Sequence, residues 1–324
     1  MCEEGEFAEG KGTVEEFEII PVYQKYVCGN IKLEQPMRVV VDAGNGTAGP
    51  VAPAILRDLG CEVEELYCEM DGRFPNHHPD PTIPENLEEL IRRVREGGYD
   101  CGIAYDGDAD RLGIIDDRGN IMWGDQLLIL FAREILQRKP GSVVISEVKS
   151  SKALFDDIEK HGGVPVMWKT GHSLIKEKMK ETQAAVAGEM SGHIFFADRY
   201  FGYDDAIYSS CRLVEILSKS DMPLSDMLSD VPRMYSTPEI RMECPEDIKF
   251  EVVKELTNYF KSNDFQVIDV DGARVTFDDG WGLVRASNTQ PVLVLRFEAT
   301  SEVRRDEIRN LIESRLKSVL ENMS

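Results

Sequence analysis

Apolar positions along the chain follow two periods. Short runs rich in valine and isoleucine, such as Val39-Val40-Val41 and Val143-Val144-Ile145, read as buried strands. Stretches with apolar residues three and four apart, such as residues 51–59 and 152–160, read as helices. Their order occurs twice. The strand at 39–41 leads into Asp42-Ala43-Gly44-Asn45-Gly46, the helix at 51–59, Gly60 and a strand at 61–66. The strand at 143–145 leads into Ser146-Glu147-Val148-Lys149, the helix at 152–160, Gly162-Gly163 and a strand at 164–168. The likeness continues through Ile103-Ala104-Tyr105, an Asp-rich loop, a strand at 112–116 and a helix at 125–136. Its counterpart is Val186-Ala187, a glycine-bounded loop, Ile194-Phe195-Phe196 and a helix at 204–217.

Strand–helix–strand order predicts mixed or parallel sheets flanked by helices. A period the size of a domain means duplication rather than a solenoid. The two unusual loops fall at one topological position, after a buried strand, where α/β sheets bind ligands. Beyond residue 232 the pattern changes. Strands are expected at 239–244, 266–270, 272–277, 282–285 and 292–298, with helices at 247–261 and 302–320. The expected fold is therefore two homologous mixed-sheet α/β domains followed by a smaller α+β domain with a mainly antiparallel sheet. Its borders are a mobile tail at 1–17, frayed over the first twelve Gly- and Glu-rich residues, then domains at 18–120, 121–232 and 233–324.

The loops carry the chemistry. Asp106-Gly107-Asp108-Ala109-Asp110-Arg111 crowds three carboxylates between two buried strands. In a tight loop they raise each other's pKa, and a hard divalent cation relieves the repulsion. Arg111 cannot ligate a metal, but its planar cation suits a phosphate beside one. A solvated acidic turn is the plainer alternative, yet it gains nothing from three acids between buried strands. An EF-hand is out of register.

Gly188-Glu189-Met190-Ser191-Gly192-His193 offers a carboxylate, a hydroxyl and an imidazole, which suits vicinal sugar hydroxyls and equally suits a turn with a buried histidine. Arg285-Ala286-Ser287-Asn288-Thr289-Gln290-Pro291 can form an anion nest, although Ser-Asn-Thr is also ordinary turn chemistry. Lys149, Lys169, His172 and Lys176 are basic points in the second domain. Trp168 to Ser173 ends a strand and starts a helix, with Thr170 or Ser173 as its cap. Phe74-Pro75-Asn76-His77-His78-Pro79-Asp80-Pro81 reads as a rigid loop. Its histidine pair is a poor metal site, because adjacent side chains diverge.

Composition narrows the partners. The 324 residues carry 37 Lys and Arg against 59 Asp and Glu, a formal charge of −22, which argues against nucleic acid and anionic membrane. No apolar run approaches a membrane span, and the acidic start lacks the regions of a signal peptide. Seven scattered cysteines without a Cys-x-x-Cys pair indicate reduced, cytoplasmic usage.

Four motifs in order, 106–111, 168–173, 188–193 and 285–291, make the chain resemble the α-D-phosphohexomutases, specifically the bacterial phosphomannomutase/phosphoglucomutase group. The resemblance runs from about residue 10 to the C-terminus. It implies a magnesium-dependent isomerase in which a phosphoserine exchanges phosphoryl groups with a hexose phosphate through a 1,6-bisphosphate. It implies magnesium ligands Asp106, Asp108 and Asp110, with Arg111 beside the phosphoserine. Glu189 and Ser191 would bind the sugar 3- and 4-hydroxyls, and Arg285, Ser287, Asn288 and Thr289 the phosphate that is not reacting. Lys149, Lys169, His172 and His193 would line the cleft. The resemblance implies glucose or mannose 1- or 6-phosphate as the substrate.

The family's Thr-Ala-Ser-His-Asn-Pro type of motif does not occur in these residues. The chain thus reads as domains two to four, inactive alone, with a separate N-terminal domain chain as a partner. Two alternatives stand beside this: a non-catalytic protein that binds sugar phosphate and magnesium, and an unrelated metal-dependent phosphatase or nucleotide-sugar transferase. The last explains only the Asp-rich loop.

Overall fold

The structure is a computed structural model, and it describes residues 10–323. Residues 1–9 of the expected tail lie outside the described residues. Residues 10–18 are exposed and form no helix or strand.

The first α/β unit runs α1 (Ile19–Asn30), β1 (Arg38–Asp42), α2 (Ala52–Asp58), β2 (Glu62–Leu66), α3 (Glu88–Gly97), β3 (Cys101–Tyr105), β4 (Leu112–Asp116) and β5 (Ile121–Met122). Its sheet order is β2-β1-β3-β4-β5, with β1 parallel to β2 and β3 and the last two pairings antiparallel. The sheet therefore extends just past the expected border at 120, because Ile121 and Met122 still pair with β4.

The second unit runs α4 (Gly124–Arg138), β6 (Val143–Glu147), α5 (Lys152–Lys160), β7 (Val164–Trp168), α6 (His172–Thr182), β8 (Val186–Gly188), β9 (Ile194–Phe196) and α7 (Ala206–Ser218). Its order, β7-β6-β8-β9 with only the last pair antiparallel, repeats the β2-β1-β3-β4 part of the first sheet, without a counterpart of β5. Both β3 and β4 are buried along their whole length, so they read as continuous apolar runs rather than alternating ones.

The third unit comprises β10 (Tyr235–Ser236), β11 (Ile240–Glu243), α8 (Lys249–Ser262), β12 (Gln266–Ile268), β13 (Ala273–Phe277), β14 (Gly280–Ala286), β15 (Val292–Ala299) and α9 (Glu302–Met323). Every pairing in it is antiparallel, and both β10 and β11 pair with β15. The fold class is the expected one.

Two helices escape the sequence pattern. In α3 only Leu90 and Val94 are buried, one turn apart, among charged neighbours. It stops where Gly98 turns left-handed at φ 63°. In α1 only Val27 is buried. Polar contacts hold it instead: Tyr23 donates to Asp205 at 3.0 Å and the Asn30 amide to the Arg199 carbonyl at 2.8 Å.

The first two units share one core, in which Ile103, Tyr105 and Leu112 pack with Leu127, Phe131 and Cys211. The Tyr105 hydroxyl meets Ser210 Oγ at 2.6 Å. Behind this core lies a charged knot. Arg212, fully buried, donates to Glu134 at 2.9 Å and to the Asp198 carbonyl at 3.0 Å, and its guanidinium lies 4.4 Å from the Phe196 ring centre.

The third unit has its own core and grips the loop between β6 and α5. Arg274 donates to the Val148 and Ser150 carbonyls, and Arg296 to the Lys149 carbonyl. Glu298 Oε1 accepts from Ser151 Oγ, the Lys152 N–H and the Trp281 indole.

Candidate active site

The Asp-rich loop joins β3 to β4. Asp106 is its anchor. One oxygen accepts the Asp110 and Arg111 N–H groups at 3.0 Å, and the other accepts Arg111 Nε at 2.7 Å. The left-handed residue that closes the turn is Ala109, at φ 64°, rather than Gly107. Such a conformation in a residue with a Cβ costs about 1–2 kcal/mol and is the kind of strain that collects at functional sites. It brings carboxylate oxygens of Asp106, Asp108 and Asp110 within 4.8 Å of one another. Burial, together with Asp106 and Asp108, pushes the Asp110 carboxyl up to about 6, although His193 pulls it down. Arg111 does not project freely: it also holds Asp80 at 3.0 Å. The rigid 74–81 loop thus contributes Asp80, while His77 faces Asp42 at 3.2 Å.

The glycine-bounded loop lies directly against the first. The Leu112 N–H donates to the Gly192 carbonyl at 3.0 Å, and Arg111 and His193 form a β-bridge. Gly192 sits at φ 96°, and a Cβ there would overlap the Leu112 carbonyl, so only glycine permits this approach. His193 Nδ1 is buried 3.3 Å from Asp204 and 3.6 Å from Asp110 without an aligned hydrogen bond, so these contacts are electrostatic. Burial opposes its charge, but Asp204, Asp110 and Glu189 outweigh it and the pKa is raised. His172 stacks on His193 with ring centres 5.8 Å apart. Lys176 binds Asp204 at 2.9 Å. Oxygens or nitrogens of Asp110, His193 and Asp204 also lie within 4.8 Å of one another, but the Lys176 ammonium already occupies that corner.

Glu189 is buried and accepts the Gly171 N–H at 2.7 Å. Burial and then Glu147 push its carboxyl up to about 7. Ser191 is half-buried beside it. Neither Thr170 nor Ser173 caps α6: Gly171 occupies that position at φ 129°. Thr170 instead donates its hydroxyl to Glu147 at 2.5 Å and its N–H to Asp271 at 3.0 Å. The same Asp271 oxygen accepts Arg285 Nε at 3.1 Å. Ser287 Oγ accepts the Thr289 and Gln290 N–H groups, an ST-turn that shapes the loop, while Asn288 and Thr289 are exposed. Lys149 is half-buried between Glu147 at 3.5 Å and Glu239 at 3.2 Å. Burial disfavours its charge, but those acids outweigh burial and raise its pKa. Lys169 is exposed, with no side-chain partner among the described residues.

Polar contacts tie the loops together: Arg285 and the Thr170 N–H share Asp271, the adjoining Gly171 N–H reaches Glu189, the Glu189 N–H meets the His193 carbonyl, and His193 Nδ1 lies 3.6 Å from Asp110. Of the acids that hold the side chains of these loops, Asp80, Glu147, Asp204, Asp271 and Glu239 carry no role in the sequence reading. One signal was present: an acid ends the first strand of each repeat, Asp42 in β1 and Glu147 in β6, and both are buried.

The fold and site define an α/β protein of duplicated domains with strand-end loops facing one another and a third domain closing over them. Family models for phosphoglucomutase/phosphomannomutase match along the chain: α/β/α domain II over residues 21–119, α/β/α domain III over 123–235 and the C-terminal domain over 239–314. The chain belongs to the phosphoglucomutase/phosphomannomutase family. It is 50% identical over 317 residues to the phosphomannomutase/phosphoglucomutase of Pseudomonas aeruginosa, covering 98% of this chain and 68% of that protein. The phosphoglucomutase of Neisseria gonorrhoeae is 48% identical over 317 residues, covering 97% of this chain and 68% of that one. Among solved structures, a phosphoglucomutase/phosphomannomutase family protein from Burkholderia thailandensis superposes with a TM-score of 0.91 at 44% identity, over 97% of this chain and 67% of that chain.

Proposed function

We propose that this chain carries the metal, sugar and distal-phosphate sites of a phosphohexomutase that interconverts hexose 1-phosphate and hexose 6-phosphate, with glucose or mannose as the sugar. The observation that carries this reading is that the three loops are tied together, through Asp271 and the Thr170–Gly171 turn on one side and the Gly192–Leu112 hydrogen bond on the other. A sugar phosphate needs an anion site, a hydroxyl-binding acid and a metal clamp on one surface, and the three loops supply them in that order. Asp106, Asp108 and Asp110 hold magnesium: the donor set is all carboxylate, as a hard cation requires, and the raised Asp110 carboxyl is what a cation would relieve. The metal would supply charge neutralisation at a phosphoryl oxygen.

In this reading Glu189 accepts hydrogen bonds from the sugar and Ser191 assists it. Arg285, Ser287, Asn288 and Thr289 bind the distal phosphate. Lys149, Lys169, His172 and His193 face the cleft, and Arg111, fixed by Asp106 and Asp80, presents its remaining donors to the reacting phosphate. The free state of the six described cysteines supports a cytoplasmic location. No helix among the described residues is long and apolar enough to cross a membrane.

The phosphoryl carrier is not among the 324 residues, which contain no Thr-Ala-Ser-His-Asn-Pro type of motif. The chain by itself is then a sugar-phosphate and magnesium binder, and catalysis needs a phosphoserine domain supplied with it. The purified 324-residue chain is expected to show no turnover of glucose 1-phosphate, because phosphoryl exchange needs the nucleophile. Turnover that disappears in Asp108→Asn would refute this.

Metal binding is tested separately. Manganese relaxation should reveal weak binding to the chain, since such sites lean on a substrate phosphate for completion. Asp108→Asn should abolish it. Equal manganese binding by both proteins would remove the metal assignment.

A further inference from the structure

Glu147 ends β6 and is fully buried. Taking a carboxylate out of water is costly, and apolar residues of similar volume commonly hold a fold as well. Here a second buried acid, Glu189, stands close enough to be affected by it. Stability alone does not account for two adjacent acids in a dry place. Geometry does. Glu147 Oε1 accepts the Met190 N–H at 3.0 Å, and Met190 lies between Glu189 and Ser191. Its Oε2 accepts the Thr170 hydroxyl at 2.5 Å and lies 3.5 Å from the Lys149 ammonium. One side chain therefore touches the loops that follow β6, β7 and β8. The adjoining Gly171 N–H, donated to Glu189, closes the figure.

We propose that Glu147 is a positioning residue, which holds Lys149, the Thr170–Gly171 turn and the Glu189–Ser191 backbone in one rigid arrangement so that a hexose phosphate meets them together. The inference rests on the function proposed above and adds to it the residue on which sugar recognition depends. Glu147 does not touch the sugar. It acts through Met190, Thr170 and Lys149. The charged groups facing it are Lys149 from its own loop, Glu189 from the β8–β9 loop and Glu239 across Lys149 from the third unit, with His193 facing Glu189 in turn.

The test uses the full chain and the isosteric Glu147→Gln, which keeps an acceptor for Met190 and removes the charge beside Lys149. Calorimetry with glucose 6-phosphate should show about tenfold weaker binding, the loss expected for a charge-assisted contact. Inorganic phosphate, held by the Arg285 loop, should bind nearly as before. Carbon-13 NMR of labelled lysine, with Lys149 assigned through Lys149→Arg, should show its titration midpoint falling in the variant. The melting temperature should be retained, so that a merely structural role predicts none of these changes.

Unchanged glucose 6-phosphate affinity would overturn the inference. So would equal losses for both ligands with the Lys149 midpoint unmoved. If Glu147→Gln does not fold, Glu147→Asp carries the test. It keeps the charge but shortens the reach to Met190, and should weaken the sugar phosphate while holding the Lys149 midpoint; wild-type sugar affinity there would be equally fatal. Glu189→Gln and Arg285→Ala separate the two levels. If neither weakens glucose 6-phosphate, the proposed function fails. If both do while Glu147→Gln does not, only the positioning role fails.

Discussion

Arg212→Ala is expected to cost about 3–5 kcal/mol of folding stability, the range for removing one partner of a buried ion pair. The arginine is fully buried in α7, and its loss leaves Glu134 and the Asp198 carbonyl short of a donor and the Phe196 ring without its cation. The lower end of the range applies, because Arg138 and Lys139 still bind Asp198 at 2.7 Å. Urea unfolding of the wild type and the variant measures it; a loss under about 1 kcal/mol would place the knot among marginal contacts.

The same knot has a pH signature. Burial alone would raise the Asp198 carboxyl, but Arg138 and Lys139 outweigh it and lower it to about 2. A depressed carboxyl stabilises above its unfolded pKa, and the contribution drains away as pH falls from near 4 toward 2. Arg212 adds a smaller attraction to the same carboxyl, so wild type and Arg212→Ala should both lose stability in that window and the difference between them should shrink modestly.

Arg285→Ala should weaken glucose 6-phosphate tenfold to a hundredfold, since a charge-assisted phosphate contact contributes roughly 1.5–3 kcal/mol. Asp271 already holds the Arg285 Nε and a terminal nitrogen at 3.1 Å, so the guanidinium plane is oriented before any ligand arrives. Arg285→Lys keeps the charge but not the plane, and should recover only part of the loss. Glu189→Gln should weaken the sugar phosphate while leaving inorganic phosphate nearly unchanged. Calorimetry with both ligands decides it: equal losses from Glu189→Gln, or none from Arg285→Ala, would contradict the division between sugar and phosphate loops.

The elements legible in the sequence were those whose signal is local. Strands β1 and β6 announce themselves as valine and isoleucine runs, β3 as a short apolar run, and the three loops as clusters of polar groups beside such runs. The duplication was legible because each copy repeats the same local order. What was not legible depends on distance along the chain. Thr170 and Asp271 are 101 residues apart, and Glu147 and Met190 are 43 apart; no periodicity connects them. Helix α1 carries too little buried surface to show an apolar stripe, since hydrogen bonds to Asp205 and Arg199 hold it. The cap of α6 was misread for a related reason. Thr170 is a good capping residue in isolation, but its hydroxyl is taken by Glu147, and the chain turns at Gly171 instead.

The grip of the third unit on the β6–α5 loop divides the two partners unequally. The third unit contributes side chains, those of Arg274, Arg296 and Glu298. The loop contributes the carbonyls of Val148, Lys149 and Ser150 and the adjoining N–H of Lys152, beside three side chains: the Ser151 hydroxyl, the Lys149 ammonium on Glu239, and Val148 packed with Trp281 and Leu283. Main-chain groups survive any substitution but proline. The main-chain part of the joint therefore survives side-chain change in the loop, whereas replacing Arg274, Arg296 or Glu298 removes the donors or the acceptor it depends on. Chemistry at the loop and attachment of the domain consequently meet in Lys149, whose carbonyl and ammonium both reach the third unit, so a change there acts on both over descent.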